Sequence, residues 1–560
     1  MINNQNKNIN IGTTSNIEIV PLGKDIKPKK DKVSDNWFLR LLKGIFDIII
    51  FALASISFGL ILGKSFLIDN NSYCAWLAIF LFIVVLNNIK DSLTSCLYSW
   101  LSGIIFYIVA LYWIYPTVLE GTGQQELAMV SVIGLAIILG LQYAIFGYAY
   151  YYIKQLKWAI PFGAGALWVS CELLHQLIAY NIYAFPWVVL GYSQFEHLPL
   201  IQISSLTGAY GVSFLIVFVG ASASMLIGNF KKTQKFMYFI LPILLLAMVY
   251  ISGKQDIRKQ LEYVLTSPKK ISTALMQTNS HKLFLDGRYD DIYYVVANQL
   301  LSLSDKKVDF IVWPETSLAD DLNSEILQTF VKENSANYKA KQLMGGIIKE
   351  NNVSYVSAGL FDENGLKDTY KKVKLVPFGE FLPFDFILHN FYSSKNITSL
   401  TGTFKAGNNE TKLLNLSSES GDIPFGATIC FESLFPSIWR NQAKEGAQFF
   451  VNISNDGWFL ESAAPYQHLR INVFRAVENR RPIMRSTTTG ISAWIDSIGK
   501  IRFQTKLNTQ ETALFDFEYQ TRNNKTFYTE YGDIFSYGCI LLSLTLFIVS
   551  VAFLKDEYGN

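Results

Sequence analysis

The stretch that decides the fold of the soluble part of this chain is Gly426-Ala-Thr-Ile-Cys430-Phe-Glu-Ser433. An apolar strand-like run ends at Cys430, and a helical pattern follows from Phe431 to Ala447. A nucleophile at a strand-to-helix turn points outward, and nearby backbone amides favour its thiolate form. Free cysteines are also common as small buried apolar side chains. The local sequence leaves both interpretations of Cys430 open.

Cys430 is the single cysteine between Lys254 and Tyr531, a stretch with the composition of a soluble domain. The other four lie in or beside long apolar runs: Cys74, Cys96, Cys171 and Cys539. This distribution gives no disulfide framework. Half of the 560 residues are hydrophobic and only 17% are charged, which indicates a chain divided between membrane and soluble parts. A net charge of +3 gives no indication of nucleic-acid binding.

Seven apolar runs precede the soluble part, and an eighth follows it. They lie at roughly 45–62, 73–88, 97–115, 127–153, 158–175, 210–228, 236–252 and 535–554. A bilayer core of about 30 Å needs about 20 apolar residues in a helix. The runs therefore predict about eight transmembrane helices, seven within residues 36–252 and the last within 534–560. Residues 1–35 are polar and rich in Asn and Lys, and they predict a disordered tail.

The charges between these runs predict their orientation. Lysines and arginines crowd the amino-terminal flank, and every second loop is basic again, at Lys90, Lys154 and Lys231. By the positive-inside rule, the amino terminus is cytoplasmic. Seven spans then place residues 253–533 on the outer side of the membrane. The eighth returns the carboxyl terminus, with Lys555, to the cytoplasm.

Residues 270–520 have the pattern of an α/β domain, with residues 253–270 as a charged linker. Strand-like runs recur at 271–277, 308–313, 342–348, 353–360, 423–430 and 448–454. Amphipathic helical stretches are predicted at Ser324–Asn337 and His468–Arg480. Residues 492–503 predict a hairpin with its turn at Asp496–Gly499.

Several polar side chains in this domain could carry chemistry, and each has a plain structural alternative. Glu315 follows an apolar strand, where carboxylates often line a cleft, but a surface carboxylate is the commoner outcome. Lys371, Lys372 and Lys374 lie in an extended segment that could equally be a solvated basic strand. His468 could pair with a thiol or pack within its helix. No histidine cluster has metal-ligand spacing, and the Gly345-Gly346 pair is a weak phosphate-binding signal.

Two segments are dense in aromatic residues, 378–392 and 457–461. Exposed aromatic loops beside a bilayer would rest in its interface. Ordinary core packing explains the same composition, and the sequence does not separate the two.

Taken together, these phrases resemble the nitrilase superfamily: Trp313-Pro-Glu315-Thr, Tyr370-Lys-Lys372-Val-Lys-Leu-Val-Pro-Phe-Gly-Glu380 and Ile429-Cys430-Phe-Glu432. Further phrases are similar to the bacterial apolipoprotein N-acyltransferase family. They are Glu172-Leu-Leu-His175, Phe185-Pro-Trp-Val-Val-Leu-Gly-Tyr-Ser-Gln194, Asn452-Ile-Ser-Asn-Asp-Gly-Trp-Phe459, Gln467-His-Leu-Arg470 and Arg485-Ser-Thr-Thr-Thr-Gly-Ile-Ser492. The likeness runs in order from about residue 45 to 554.

The resemblance implies an αββα sandwich that carries a Glu–Lys–Cys triad. It assigns the nucleophile to Cys430, the general base to Glu315 and the stabilising lysine to Lys372, with Glu380 and Glu432 in support. Lys372 is chosen over its neighbours because it lies eight residues before Glu380, where the family pattern has its lysine. Two positions depart from the pattern. Phe431 replaces the usual Tyr after the cysteine, and Phe284 lies near the place of a frequent Trp.

The resemblance also implies the activity. A membrane phospholipid donates a fatty acyl chain through a cysteine thioester to the α-amino group of a diacylglyceryl-cysteine on an apolipoprotein. The site would lie on the periplasmic side of a bacterial inner membrane, in a monomer that needs no cofactor or metal and binds no nucleic acid. Two alternatives remain: a membrane-tethered amidase with the same triad, and a lipid-binding or transport protein with an inert outer domain.

Overall fold

The structure is a computed structural model that describes residues 37–558, apart from gaps at 70, 183–184, 229–230, 267–268, 319, 383–403, 419–420 and 522–523. The predicted polar tail, residues 1–35, lies outside the described residues. So does most of the aromatic segment 378–392.

Helices make up the first part of the described chain. They are α1 (Trp37–Lys64), α2 (Ser72–Asn88), α3 (Ser92–Ala110), α4 (Ile114–Thr122), α5 (Gln125–Ile153), α6 (Ile160–Ile182), α7 (Leu198–Ile201), α8 (Ser204–Thr207), α9 (Tyr210–Met225) and α10 (Lys232–Thr266). The sandwich adds α11 (His281–Leu285), α12 (Tyr289–Leu301), α13 (Glu325–Tyr338), α14 (Pro436–Lys444) and α15 (Ala464–Asn479). Two helices end the chain, α16 (Phe527–Tyr531) and α17 (Ile534–Tyr558).

Each of the eight predicted apolar runs lies in a helix. Within the described residues, six helices are long and apolar enough to cross a bilayer: α1, α3, α5, the 157–181 segment containing α6, α10 and α17. The second run forms the 17-residue α2, which is shorter than a full span. The sixth forms α9, which is joined to the segment Leu198–Thr207 at a bend of 117°. The predicted helical bundle is therefore confirmed. The described helices include six candidate spans, or seven if the bent pair is one span, against the eight that the sequence predicts.

Small residues let these helices approach closely. A Cβ atom added to Gly147 on α5 would lie 2.1 Å from the Ser99 hydroxyl of α3. One added to Gly103 on α3 would lie 2.7 Å from the Tyr143 ring. Glycine and serine at helix contacts are typical of bundles in lipid, where close backbone packing replaces the hydrophobic effect.

The predicted charged linker at residues 253–270 is wrong over most of its length. Helix α10 continues without a break from its apolar half through Ser252 to Thr266. Its extension consists mainly of Gln, Arg, Lys, Glu and Leu, all good helix formers. The high charge of residues 253–266 therefore indicates a helix that leaves the bilayer. Strand β1 begins only a few residues later.

Twelve strands follow: β1 (Lys269–Gln277), β2 (Phe310–Val312), β3 (Lys341–Glu350), β4 (Val353–Asp362), β5 (Gly365–Lys371), β6 (Leu413–Ser418), β7 (Gly421–Ile429), β8 (Phe449–Ser454), β9 (Ile483–Thr487), β10 (Ala493–Ile495), β11 (Ile501–Gln504) and β12 (Glu511–Tyr519). They form two six-stranded sheets, in the orders β12-β1-β2-β3-β4-β5 and β11-β10-β9-β8-β7-β6. All six predicted strands and the 492–503 hairpin are confirmed.

Each sheet has three parallel strands at its centre and antiparallel neighbours at its edges. Two antiparallel steps separate β5 from β3, so β5 runs in the same direction as β2 and β3. Residues that follow β2 and β5 therefore leave the first sheet at the same end of its strands. This places Glu315 and Lys372, which are 57 residues apart in the chain, at one end of the sheet.

The sheets pack face to face with helices outside them. One buried apolar cluster joins β1, β2, β3 and β4 to β7, β8 and β9 between the sheets. A second joins the outer face of the first sheet to α12 and α13. A third is continuous from the helical bundle through α14 and α15 to the second sheet. The chain therefore contains the αββα sandwich that the sequence resemblance implies, and one helical layer of it lies against the bundle.

Candidate active site

Cys430 stands directly after β7, and its backbone has a φ of +49°. The chain then makes a short 3₁₀ turn, Cys430–Leu434, and helix α14 begins at Pro436. The predicted helix from Phe431 to Ala447 is therefore two elements. A left-handed conformation costs a non-glycine residue roughly 1–2 kcal/mol, so surrounding contacts must hold it in place.

Lys372 is the centre of a buried charged cluster. Its Nζ lies 3.0 Å from Oε1 of Glu315 and 2.6 Å from Oε1 of Glu380. Burial lowers the pKa of Lys372, but the charges of Glu315 and Glu380 outweigh burial and hold that pKa well above its usual value. The ammonium is therefore charged at any physiological pH and is available to stabilise a developing negative charge.

The two neighbouring lysines lie elsewhere. Lys371 pairs with Glu350 at 2.6 Å on the surface. Lys374 donates to the backbone carbonyl of Tyr180 at 2.9 Å, and its Nζ lies 3.5 Å from the centre of the Tyr180 ring. Of the three lysines left open by the sequence, Lys372 is the one that contacts Glu315.

Glu315 is held by its second carboxylate oxygen. Oε2 accepts a hydrogen bond of 2.9 Å from the backbone N–H of Asn455, in the turn after β8. The Asn455 side chain donates to Thr316 at 3.2 Å. A Cβ atom on Gly345 would lie 2.4 Å from Cα of Glu315, so this strand glycine gives the carboxylate its place. The Gly345-Gly346 pair thus supports the Glu315 loop.

The Cys430 thiol has a raised pKa. Burial is the largest cause and the charge of Glu315 adds to it, whereas Lys372 and a side-chain hydrogen bond from Ser454 act in the opposite direction. The thiol is therefore neutral at pH 7 and needs a base to become a nucleophile. Glu315 is the carboxylate with the strongest electrostatic effect on that thiol.

Glu380 and Glu432 organise the segments around this cluster. Oε2 of Glu380 accepts from the backbone N–H of Val376 at 2.9 Å. Burial raises the pKa of Glu380, while Lys372 lowers it. Glu432 is fully buried and accepts backbone N–H bonds from Ile429 at 2.8 Å and from Val373 at 2.7 Å. It therefore joins the end of β7 to the segment that carries Lys372.

The Glu432 carboxylate accepts further hydrogen bonds. Besides these amides it accepts from the Tyr370 hydroxyl at 3.0 Å and from the Lys374 N–H at 3.2 Å. Burial nevertheless raises the pKa of Glu432 to about 7, against the opposing effect of its amide donors.

His468, one of the residues left open by the sequence, is fully buried next to Cys430. Its Nε2 lies 3.1 Å from the backbone carbonyl oxygen of Cys430. The ring also packs against Trp187 and Phe459, at centroid distances of 5.4 and 6.3 Å. His468 thus serves a packing role and contacts the backbone of Cys430.

Sequence reasoning missed Asn455, Asp456 and Arg485 as parts of this region. Asp456 accepts from Arg485 Nη2 at 2.6 Å and from Ser454 Oγ at 2.7 Å. All three residues stand in the phrases Asn452–Phe459 and Arg485–Ser492. The available signal was a polar pair, Asn455 and Asp456, directly after the apolar strand β8, and a charged side chain, Arg485, inside the buried strand β9, because buried polar groups need hydrogen-bond partners.

The aromatic residues of segment 457–461 are half-buried and pack on other rings. Phe459 lies 5.0 Å from the Trp113 ring and 5.5 Å from the Trp187 ring, both in the helical part. Phe284, near the place of the family's frequent Trp, instead packs on Tyr289 at 6.3 Å. Among the described residues, no group of three or more His, Cys, Asp or Glu side chains could hold a metal ion.

The turn after Cys430 faces the helical part. The Phe431 ring lies 5.9 Å from the Phe185 ring, and Phe435 lies 6.0 Å from Tyr180 near the end of α6. The Gln176 side chain of α6 donates to the Leu434 carbonyl at 3.2 Å. The thiol is thus placed between a charged cluster from the first sheet and aromatic side chains of the bundle.

Comparison with known proteins defines the class first. A carbon-nitrogen hydrolase family model matches residues 272–522, the sandwich, and a model of the apolipoprotein N-acyltransferase N-terminal domain matches residues 58–222. Similar solved structures include a CN-hydrolase superfamily protein from Xanthomonas campestris, with 16% identity, a TM-score of 0.33, and coverage of 44% of this chain and 91% of that one.

Curated relatives extend along nearly the whole chain. An apolipoprotein N-acyltransferase of Geobacter metallireducens is 29% identical over 495 residues, which are 86% of this chain and 92% of that protein. Apolipoprotein N-acyltransferase 1 of Treponema denticola is 30% identical over 438 residues, 69% of this chain and 77% of that protein. The chain belongs to the apolipoprotein N-acyltransferase family.

Proposed function

We propose that this protein transfers a fatty acyl chain from a membrane phospholipid to the α-amino group of the S-diacylglyceryl-cysteine of apolipoproteins. The observation that carries the mechanism is the buried cluster in which Lys372 Nζ lies 3.0 Å from Glu315 and 2.6 Å from Glu380, beside Cys430. Family membership supports the substrates, and the named relatives are apolipoprotein N-acyltransferases.

In the first half-reaction, Cys430 Sγ attacks the ester carbonyl of the phospholipid while Glu315 removes the thiol proton. The tetrahedral oxyanion forms beside Lys372, and loss of one such donor typically costs about 3 kcal/mol. Collapse breaks the ester C–O bond, and the glycerol oxygen leaves with the proton from Glu315. A thioester on Cys430 and a lysophospholipid result.

In the second half-reaction, the amine of the diacylglyceryl-cysteine attacks the thioester carbonyl. Glu315 removes a proton from the nitrogen, the C–S bond breaks, and the thiolate of Cys430 regains a proton. One nucleophile thus serves both transfers. Glu380 and Glu432 support the reaction by holding Lys372 and the ends of the reacting segments.

The location proposed for the reaction follows the loop charges. Residues 253–533 would lie in the periplasm, with both termini in the cytoplasm and the helices in the inner membrane. The aromatic contacts of Phe431 and Phe435 with the bundle suit a thiol that meets acyl chains from the outer leaflet. We propose that the protein acts as a monomer.

Mass spectrometry of the purified protein after incubation with phospholipid vesicles tests this function. We expect an acyl adduct on Cys430 that disappears when a diacylglyceryl-cysteinyl peptide is added, with the peptide gaining the acyl mass. Cys430→Ala should abolish the adduct, and Cys96→Ala, which removes a thiol of the bundle, should retain it. Free fatty acid with an unmodified peptide would instead show a hydrolase.

Cysteine labelling tests the orientation. Lys306→Cys and Lys232→Cys place a thiol on an exposed position of the sandwich and at the start of α10, respectively. A membrane-impermeant maleimide should label the first in intact spheroplasts and the second only after permeabilisation. The reverse pattern would place the sandwich in the cytoplasm.

A further inference from the structure

Hydrogen bonds hold the backbone before and after the strained conformation at Cys430. Before it, the Ile429 N–H donates to Glu432 Oε2 at 2.8 Å. After it, the Cys430 carbonyl oxygen lies 3.1 Å from His468 Nε2. Because a carbonyl oxygen only accepts hydrogen bonds, His468 must donate from Nε2. A residue with a φ of +49° keeps this conformation only when its neighbours enforce it.

His468 is itself fixed by a buried ion pair. Its Nδ1 lies 3.0 Å from Asp456 Oδ1 and 3.1 Å from Arg485 Nη2, and these two groups pair with each other at 2.6 Å. The side chains of all three residues are fully buried. Burial and the Arg485 charge lower the pKa of His468, so the ring is neutral. With its one proton on Nε2, Nδ1 accepts from the Arg485 guanidinium, and Asp456 acts on the ring through its pair with Arg485.

The hydrogen bond to the carbonyl has a geometric consequence for the next amide. The Cys430 carbonyl and the Phe431 N–H belong to one planar trans peptide, so they point in opposite directions. When His468 holds the carbonyl against α15, the Phe431 N–H must point away from α15. A rotation of this peptide would turn the carbonyl dipole towards the reacting oxygen instead.

We propose that His468 is a positioning residue for the Cys430–Phe431 peptide: it directs the Phe431 N–H at the oxyanion that forms beside Lys372. The inference rests on the proposed acyl transfer and assigns His468 a task in it. His468 does not act as the base, because its Nε2 is used by the backbone carbonyl. The ion pair of Asp456 and Arg485 sets the ring orientation that this task requires.

Two substitutions that differ by one methylene group separate positioning from packing. In His468→Gln, the side-chain amide reaches the position of Nε2 and can still donate to the carbonyl. In His468→Asn, the amide reaches only the position of Nδ1, so it can contact Asp456 but not Cys430. The acylation probe is a 4-nitrophenyl ester of a fatty acid, whose burst of nitrophenol reports thioester formation. The thiol probe is iodoacetamide, whose reaction forms no oxyanion.

For His468→Asn we expect acylation to slow about 100-fold, the typical effect of losing one oxyanion donor, and for His468→Gln less than about 10-fold. Alkylation should stay within about threefold of the parent rate in both, because the attack on iodoacetamide develops no oxyanion for the Phe431 N–H to stabilise. Asn472→Ala, one turn later on α15, is the control for a general disturbance of this helix.

Equal acylation in the Asn variant and the parent would overturn the inference, as would a parallel loss of acylation and alkylation. If His468→Asn does not give folded protein, His468→Phe keeps the ring volume between Trp187 and Phe459 without a donor and carries the same expectation. A failure of the proposed function looks different, because the parent protein would then form a thioester with the nitrophenyl ester but none with phospholipid.

Discussion

The two helical layers of the sandwich have similar lengths of helix but opposite surroundings. On the outer layer, α13 buries three residues at helical spacing, Leu327, Val331 and Ser335, and leaves most of the others to solvent. On the inner layer, every residue of α15 except Tyr466 is buried. An amphipathic helix on a sheet normally has one buried face, so the second face of α15 must be covered by something else.

The bundle provides that cover, and it does so through polar contacts. Gln467 accepts from the indole N–H groups of Trp113 and Trp187, at 3.0 and 2.7 Å, and donates to the carbonyls of Phe66 and Ala110, at 2.8 and 2.9 Å. Further along α15, Arg470 donates to Leu67, Arg475 to Tyr192, and Glu478 accepts from Ala209. The comparison shows that a helix can be polar in sequence and yet form the join between two buried surfaces.

The largest expected difference between the layers concerns two ion pairs with the same spacing. Arg475–Glu478 on α15 is fully buried, whereas Arg288–Asp291 at the start of α12 is about half exposed. Arg475→Leu leaves a buried carboxylate without its partner and should cost about 3–5 kcal/mol. Arg288→Leu should cost less than about 1 kcal/mol. Thermal unfolding of both variants in one detergent measures the difference. Equal losses of stability in the two variants would contradict the prediction.

A second pair of variants compares glutamines. Gln467→Leu leaves two indole N–H groups and two carbonyls without their partner, so we expect a loss of about 3 kcal/mol in the free energy of unfolding. Gln328 on α13 bonds only the Leu322 carbonyl and the Leu366 N–H, near solvent. Gln328→Leu should therefore cost about 1 kcal/mol. Denaturant unfolding followed by tryptophan fluorescence reports both, and a larger loss at Gln328 would contradict the prediction.

The pH dependence of stability should also differ between the layers. Burial raises the pKa of Glu432 to about 7, so at pH 5–7 the folded state keeps a proton that the unfolded chain releases. Its contribution is fully present below the unfolded pKa and is lost as pH rises to about 7, with a slope of up to about 1.4 kcal/mol per pH unit. Glu432→Gln should reduce the slope by this share and leave that of Glu478, whose pKa burial also raises to about 7.

Glu325, exposed in the first turn of α13, is the control for that experiment. Glu325→Gln should leave the pH dependence of the melting temperature unchanged between pH 5 and 8. An unchanged slope in Glu432→Gln would show that other buried carboxyls cause the dependence.

The smallest expected effect concerns Lys374 and Lys371, two lysines near the end of β5. Lys374→Met removes a cation from the face of the Tyr180 ring and a hydrogen bond to its carbonyl, which should cost about 1 kcal/mol. Lys371→Met removes a surface pair with Glu350 and a contact of its Nζ with the Tyr355 ring at 4.5 Å, and it should cost about 0.5 kcal/mol. Melting temperatures of the two variants, measured side by side, test whether the contact with the bundle matters.

Patterns local in the chain predicted the elements well. Apolar length placed all eight membrane runs in helices, and alternating or continuous apolar runs placed the strands, because both signals depend on neighbours in the sequence. The extension of α10 was missed because charge alone does not separate an exposed helix from a linker. Residues 426–433 indicated the turn at Cys430 but not that Pro436 begins a separate helix.

The residues of the candidate site were harder to predict from local sequence patterns than the helices and strands. Spacing within the chain does not distinguish Lys372 from Lys371, and only the family resemblance selected it. The Asn455 N–H contacts the Glu315 carboxylate and His468 contacts the Cys430 carbonyl, 140 and 38 residues away in the chain. Such partners depend on how two sheets meet, and no local pattern reports that arrangement.

Helix α10 gives the enzyme a defined height above the membrane. At 1.5 Å per residue its 35 residues extend about 50 Å, of which about 30 Å crosses a bilayer core. The protruding part is braced against the sandwich, since Asp256 pairs with Arg480 and the Tyr263 hydroxyl donates to Thr521 at 3.1 Å. Inserting one residue there would raise and turn the sandwich on that side. The length of this helix therefore helps to set the distance between the thiol and the lipid.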